Sequence, residues 1–443
     1  MSKKLGVETE KRMKKNLLDK TTMTNTLWSF FGKIIAMIFL VLLDVIAARL
    51  LSVDGYAEWV FFFSILTMLF YIGWMGINTS AKVYVSKSAN ICDRNKRIQA
   101  ALILRLIISF GICFLIFLIV PHFAEYLGYP QKYPELKTLL EMAAVLVFFN
   151  SFTELFKEIC IGLEEYKYLF ILTISEYAGY FIYSALILFA CKKVHAIPIG
   201  YFISGICILI LGYYILKNKI GFRKEKVDVY CRNYMKNIMK YALPIAVISF
   251  GGLILIEMDT FMLGLLSTKR EVATYSIAKN LCSKATHVNY ALTIGTMTSF
   301  SVLTVENISE KRKKFKKISI LNWSITVAIS AVMLVLSVIA ITIVYGKEYQ
   351  MAGNVMRLLV PYYALYSVSN FYSTFLDFRG KAHFRSICYM SIIIINLVLN
   401  YVLIPVWGAK GAAIATDISL IPYTIAVIIG TVLEFRHQLK TIG

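Results

Sequence analysis

The residues of this chain that could do chemistry are charged side chains set inside long apolar runs. From Tyr241 to Ser267 the sequence reads YALPIAVISFGGLILIEMDTFMLGLLS, with Glu257 and Asp259 past its middle. Lys33, Asp44 and Arg49 lie in a first apolar run, Arg105 in a third, Lys279 and Lys284 in an eighth, and Asp417 in a twelfth. A charge at the bilayer centre costs roughly 2.5–3.5 kcal/mol on insertion scales, so such groups face protein or water and have a use. Burial raises a carboxylate's pKa and a nearby cation lowers it, so buried acids can load and release protons. Asp44, Glu257, Asp259 and Asp417 are therefore the candidates for coupling to H+ or Na+. Their competing role is to neutralise the buried cations.

The elements that must position these groups are membrane spans. Hydrophobic residues make up 58% of the 443 and charged residues 16%, where a soluble domain is nearer a quarter charged. A span needs about 20 mostly apolar residues, and twelve such stretches can be marked. They are 25–50, 56–80, 98–120, 136–157, 167–191 and 197–216, then 241–266, 272–303, 318–345, 352–377, 385–407 and 411–434. Of the 47 Lys and Arg, 32 fall in the segments that are inside if the N-terminus is inside, and 8 in the outer turns. That bias orients the chain with both ends cytoplasmic. The formal charge of +21 thus belongs to short loops, and no basic, aromatic-interleaved soluble domain offers a nucleic-acid surface. Residues 1–23 form a basic tail with no signal peptide, 24–216 and 241–434 form two six-helix halves, and 435–443 form a C-terminal tail. Segment 217–240 reads as a solvated basic linker along the inner leaflet.

The eight cysteines show no metal-ligand spacing, His122, His195, His287, His383 and His437 are isolated, and no enzymatic constellation appears. No cofactor is expected beyond the coupling ion. Asp44–Ser52 (DVIAARLLS) and Asp259–Ser267 (DTFMLGLLS) are 215 residues apart, as are Ile203-Ser204 and Ile418-Ser419. Two matches at one offset suggest a duplicated half. With an even number of spans between the copies, the repeat is parallel, about a pseudo-twofold axis along the membrane normal.

Asn396–Ser419 reads NLVLNYVLIPVWGAKGAAIATDIS. It resembles the signature of the last two spans in polysaccharide flippases of the multidrug/oligosaccharidyl-lipid/polysaccharide exporter superfamily. Asp259-Thr-Phe-Met-Leu-Gly264, Ala273-Thr-Tyr275 with Ala278, Tyr349-Gln-Met-Ala352 with Arg357, and Ala48–Leu51 before Asp54-Gly55-Tyr56 are similar to other segments of that family. The resemblance covers nearly the whole chain. It implies an all-α alternating-access transporter of two six-helix bundles, acting on a polyprenyl-diphosphate-linked oligosaccharide in the bacterial cytoplasmic membrane. Lipid II flippases of the superfamily carry two more helices after the twelfth, which this chain does not show.

On that reading a diphosphate must lose water to cross, and buried cations replace its hydration. Arg offers a planar fork for phosphate oxygens and Lys a compact point charge. Lys33 and Lys284 are the first candidates for substrate binding, followed by Lys279, Arg49 and Arg105. Tyr275 and Tyr290 could face sugar rings. The implied partners are the lipid-linked oligosaccharide, membrane lipids, a polysaccharide polymerase and chain-length machinery. The alternatives are a multidrug or cation antiporter of the same fold, which would favour an acid-lined cavity, and a polymerase or glycosyltransferase, which would need a large outer loop or soluble domain.

Overall fold

The computed structural model describes residues 20–126, 129–297, 300 and 308–440. The described residues are 91% helical and include no strand. Its helices are α1 (Lys20–Leu50), α2 (Val53–Trp74), α3 (Ile77–Ser86), α4 (Ile91–Tyr126), α5 (Tyr129–Lys132), α6 (Leu136–Gly162), α7 (Tyr166–Cys191) and α8 (Ala196–Tyr214). There follow α9 (Val229–Leu266), α10 (Lys269–Met297), α11 (Ile308–Val344), α12 (Gln350–Leu358), α13 (Val360–Phe378) and α14 (Ala382–Lys440). The last is two arms, 382–407 and 409–440, joined at Gly408, whose φ of 55° and ψ of −130° lie outside the helical region. The marked spans map onto these helices, with α2–α3 and α12–α13 each forming one interrupted span. Eight of the described helices are long and apolar enough to cross a membrane. Phe110, Phe114 and Ile119 on α4, and Val335, Ile339 and Ile343 on α11, are all exposed, as suits surfaces that meet acyl chains rather than water.

Two compact units divide the chain, residues 1–51 with 66–250 and residues 52–65 with 251–443. The division passes through α2 and α9. In the first unit α1 packs on α7, α7 on α8, and α3 and α4 on α6, around a core that includes Ile98, Ala101, Phe152, Phe156 and Ile159. In the second unit α13 packs on α10, α11 and α14. Its core is aromatic. Phe315 lies 4.8 Å from Phe375 between ring centroids, and Phe375 is stacked on Phe435 at 4.9 Å.

The break between α2 and α3 has a local cause and a local remedy. Met75 and Gly76 take φ values of 41° and 67°, the left-handed region that costs any residue but glycine about 1–2 kcal/mol. A Cβ on Gly76 would sit 2.3 Å from the Ala242 carbonyl oxygen, so glycine also allows α9 to approach. Helix interruption leaves carbonyls without partners, and no lipid can supply one. Arg105, fully buried on α4, supplies them. Its Nη1 donates to the Gly73 carbonyl at 2.7 Å, and its Nη2 donates to the Trp74 carbonyl at 3.0 Å and to Asn78 Oδ1. Arg105, a candidate for substrate binding by sequence, is here a cap on a broken helix. No such role was visible without knowing where α2 ends.

Segment 217–240 is held on the first unit. Ile220 and Phe222 are buried. Arg94 Nη2 donates to the Ile220 carbonyl at 2.9 Å. The Gln99 amide pairs with the Glu225 backbone both ways, donating at 2.9 Å and accepting at 2.7 Å. Lys96 meets Asp228 at 2.5 Å, Asp228 Oδ1 caps α9 by accepting from the Cys231 amide at 2.9 Å, and Tyr234 Oη donates to Asp93 at 2.6 Å. All eight Lys and Arg of the segment, from Lys217 to Lys240, stay exposed. The basic surface expected of a linker is present, on a backbone tied down from α4.

Two measurements follow. Arg105→Met removes the donors of two buried carbonyls and should cost about 2–5 kcal/mol, read as a lowered melting temperature in detergent. An unchanged melting temperature would contradict the capping role. Lys96 holds the Asp228 carboxyl below its usual range, chiefly through their hydrogen bond. A depressed carboxyl stabilises above the pH where the unfolded group titrates, and the contribution is lost as pH falls through the folded value. Trypsin cleavage at Arg223–Lys226 should therefore be slow and constant from about pH 6 to 8 and faster at every pH in Asp228→Asn. Equal cleavage of the two proteins would show that Asp228 does not latch the segment.

Candidate functional site

In the second unit an acid of the span 241–266 becomes a hub. Asp259 on α9 is 3% exposed, and its carboxylate meets four side chains from three directions. Tyr275 Oη on α10 donates to Oδ2 at 2.6 Å, and Thr416 Oγ1 on the second arm of α14 lies 2.7 Å from the same oxygen. Asn396 and Asn400 on the first arm donate to Oδ1 at 3.0 and 2.6 Å, and Asn400 also donates to Asn396 Oδ1 at 2.9 Å. Residues 396 and 400 share one face of a helix by their spacing of four, so both amides reach one oxygen. Four uncharged side chains thus converge on one carboxylate.

Tyr275 and Lys279 also lie four apart. They face α9 together, where Lys279 Nζ pairs with Glu257 at 3.2 Å and with Thr260 Oγ1 at 3.2 Å. Tyr275 is 1% exposed, so it braces Asp259 and does not face sugar; the Tyr290 side chain lies outside the described residues. Asp417 is half-buried, and its Oδ1 has no partner among the described residues. The Asn-x-x-Leu-Asn element was visible in the sequence, but its partner, 137 residues earlier, was not.

The first unit holds a second buried network. Lys157 on α6, at the end of the span marked 136–157, is 7% exposed. Its ammonium meets Glu154 on the same helix and Glu176 Oε2 on α7 at 2.9 Å. Tyr180 Oη donates to Glu176 Oε1 at 3.0 Å, and Tyr180 stacks on Tyr201 at 4.0 Å with an interplanar angle of 14°. Two carboxylates thus share one ammonium, and a phenol donates to one of them. The spacing of Glu154 and Lys157, one helical turn apart, was the available signal.

The remaining cations are placed differently. Lys33 and Arg49 are both exposed on α1, but 16 residues of helix separate them by roughly 24 Å along the axis, so they do not form one site. Lys284 is half-buried on α10, five residues beyond Lys279, and Asp44 is half-buried on α1. Asp259, Glu257 and Lys279 come together in the second unit, and Glu154, Lys157 and Glu176 in the first.

The family model described as polysaccharide biosynthesis protein matches residues 22–293, and a second, described as MatE, matches residues 244–402. The chain is 25% identical over 216 residues to a probable low-salt glycan biosynthesis flippase of Haloferax volcanii, covering 47% of this chain and 45% of that protein. It spans less than two thirds of the length of the curated relatives it matches. Among solved structures it resembles an inward-facing multidrug resistance MATE family transporter of the MOP superfamily, with a TM-score of 0.70 and 14% identity over 92% of this chain and 95% of that one. It also resembles the lipid II flippase MurJ in an inward closed conformation, with a TM-score of 0.67 and 16% identity over 92% of this chain and 87% of that one. These likenesses show the fold, an all-α polytopic membrane protein of MATE type. The two solved structures and the Haloferax volcanii relative are transporters or flippases by name.

The hub makes a specific demand on residue 259. Asn at that position keeps the shape but offers one acceptor oxygen to four neighbours, and the amides of Asn396 and Asn400 cannot become acceptors through nitrogen. Asp259→Asn should lower stability by about 1–3 kcal/mol, and Asn400→Leu should do the same. The two effects together should be smaller than their sum, because they remove one interaction. Full additivity in thermal denaturation would mean that the two residues are not coupled.

Proposed function

Because the chain belongs to the polysaccharide biosynthesis protein family, we propose that it flips polyprenyl-diphosphate-linked oligosaccharides from the inner to the outer leaflet by alternating access. The family match carries the proposal, with support from the glycan-flippase relative and the lipid II flippase fold. The orientation proposed is the one given by the basic bias, with both termini in the cytoplasm of the cell that makes the polysaccharide. A polymerase and chain-length machinery would receive the flipped unit.

The cations proposed to replace phosphate hydration are Lys33, exposed on α1, and Lys284, half-buried on α10, which belong to opposite halves of the chain, with Arg49 at the far end of α1. Arg105 holds the Gly73 and Trp74 carbonyls, and Lys279 is paired with Glu257. For coupling to H+ or Na+, Asp259, Glu257, Asp417 and Asp44 are the acids proposed to take part.

A second reading has its own support. The MatE match over residues 244–402 includes Asp259, Asn396 and Asn400, so the acid hub lies in the part shared with drug and cation exporters.

Leaflet sidedness of radiolabelled lipid-linked oligosaccharide separates the two. In cells depleted of this protein the lipid should accumulate on the cytoplasmic leaflet. The intact chain should relieve that accumulation, and the Lys33→Ala/Lys284→Ala double variant should relieve it at least about tenfold less at equal expression, a loss of roughly 1.4 kcal/mol. Normal sidedness after depletion, with no other flippase present, would move the assignment to the antiporter.

A further inference from the structure

The second unit carries a half-open cavity of about 580 Å³, lined by Arg270, Glu271, Thr274, Met351, Val355, Val406, Trp407 and Lys410. Three separate turns build it: the start of α10, the start of α12 and the Gly408 break in α14. In the proposed orientation all three are outer turns. That side is poor in cations, with 8 of the 47 Lys and Arg, yet two of the eight, Arg270 and Lys410, converge on this one cavity from positions 140 residues apart in sequence. Both are exposed.

The third charge of the lining is occupied. Glu271 Oε2 accepts a hydrogen bond from the Ala409 amide at 2.7 Å. A Cβ at Gly408 would stand 2.8 Å from that same oxygen. The carboxylate therefore clamps the Gly408 break and fixes the wall on which Trp407 and Lys410 stand. What remains for a ligand is two cations, an indole 52% exposed, and the apolar flank of Met351 and Val406.

From this we infer that the cavity is an outer-side binding site for an acidic saccharide. A carboxylate on a sugar ring suits the fork of Arg270 and the ammonium of Lys410. The C–H face of the same ring suits the indole of Trp407, which presents an apolar body with a polar edge. A drug-like apolar guest would leave both cations unserved, and a neutral sugar would leave their charge unused. The inference rests on the glycan-flippase reading and its orientation, and it narrows that reading to repeat units that contain a uronic acid or a similarly anionic sugar. The site would hold the glycan after its lipid has reached the outer leaflet.

Binding can be measured apart from transport, so the two readings can fail separately. The full chain in nanodiscs of zwitterionic lipid is titrated by calorimetry with trigalacturonate, maltotriose and inorganic pyrophosphate. Trigalacturonate should bind, and Arg270→Gln/Lys410→Gln should weaken it by about tenfold, as expected when two exposed charge pairs are lost. Trp407→Ala should weaken it further, while Trp407→Tyr should keep part of the affinity. Maltotriose should bind at least about tenfold more weakly than trigalacturonate. Equal trigalacturonate binding by the intact chain and the Arg270/Lys410 double variant, or none by either, would overturn the site. Pyrophosphate binding as tight as trigalacturonate, unaffected by Trp407→Ala, would overturn the sugar assignment in favour of a lipid diphosphate headgroup. If trigalacturonate binds as described while the sidedness assay shows no flipping, the site stands and the transport reading falls.

Discussion

Everything in this molecule is constrained by the absence of water around its helices. A carbonyl or amide released by a break at bilayer depth must find a protein partner, because acyl chains offer none and the cost is several kcal/mol per group. The chain breaks a helix regardless between α2 and α3, and a charged side chain answers there, as another does at the turn through Gly408. Arg105 reaches from α4 to the end of α2. Glu271 reaches from α10 to the amide that follows Gly408. These residues are charged because one charged group can serve several backbone atoms with bonds roughly twice as strong as neutral ones.

The same constraint governs the charges that look most like machinery. Within the second unit Lys279 is matched by Glu257, and Asp259 by four neutral donors. Within the first, Lys157 is matched by two carboxylates. Networks of this kind are costly when incomplete and rigid when complete. Each unit therefore owns a polar centre, and Lys33 and Arg49 stand exposed on α1.

Much of the fold was legible in the sequence because apolar runs of bilayer length leave few other solutions. The spans drawn from hydropathy coincide with helices, and the Asn396–Ser419 stretch pointed to the right family. The polar centres were harder to see, for a physical reason. Hydropathy is a property of one segment, whereas a satisfied charge is a property of two or three. Asp259 was singled out, but the amides that hold it lie on α14. Arg105 looked like a ligand-binding cation because nothing local to residue 105 reveals that α2 ends at Trp74. Lys157 closes the span marked 136–157, but α6 runs on to Gly162, five residues past the point where apolarity fades, which puts Lys157 inside the helix.

The segment after α8 illustrates how a surface can be freed to vary. Its hold on the protein runs through main-chain atoms of Ile220 and Glu225 and through the side chains of Arg94 and Gln99. The outward side chains at Arg223, Lys224 and Lys226 bear none of that attachment. A lineage could exchange those three positions for almost any polar residue and keep the dock, whereas a change at Gln99 would undo it. The anchoring information and the surface chemistry are written in different residues, and selection can tune the exposed charge of this segment without renegotiating its architecture.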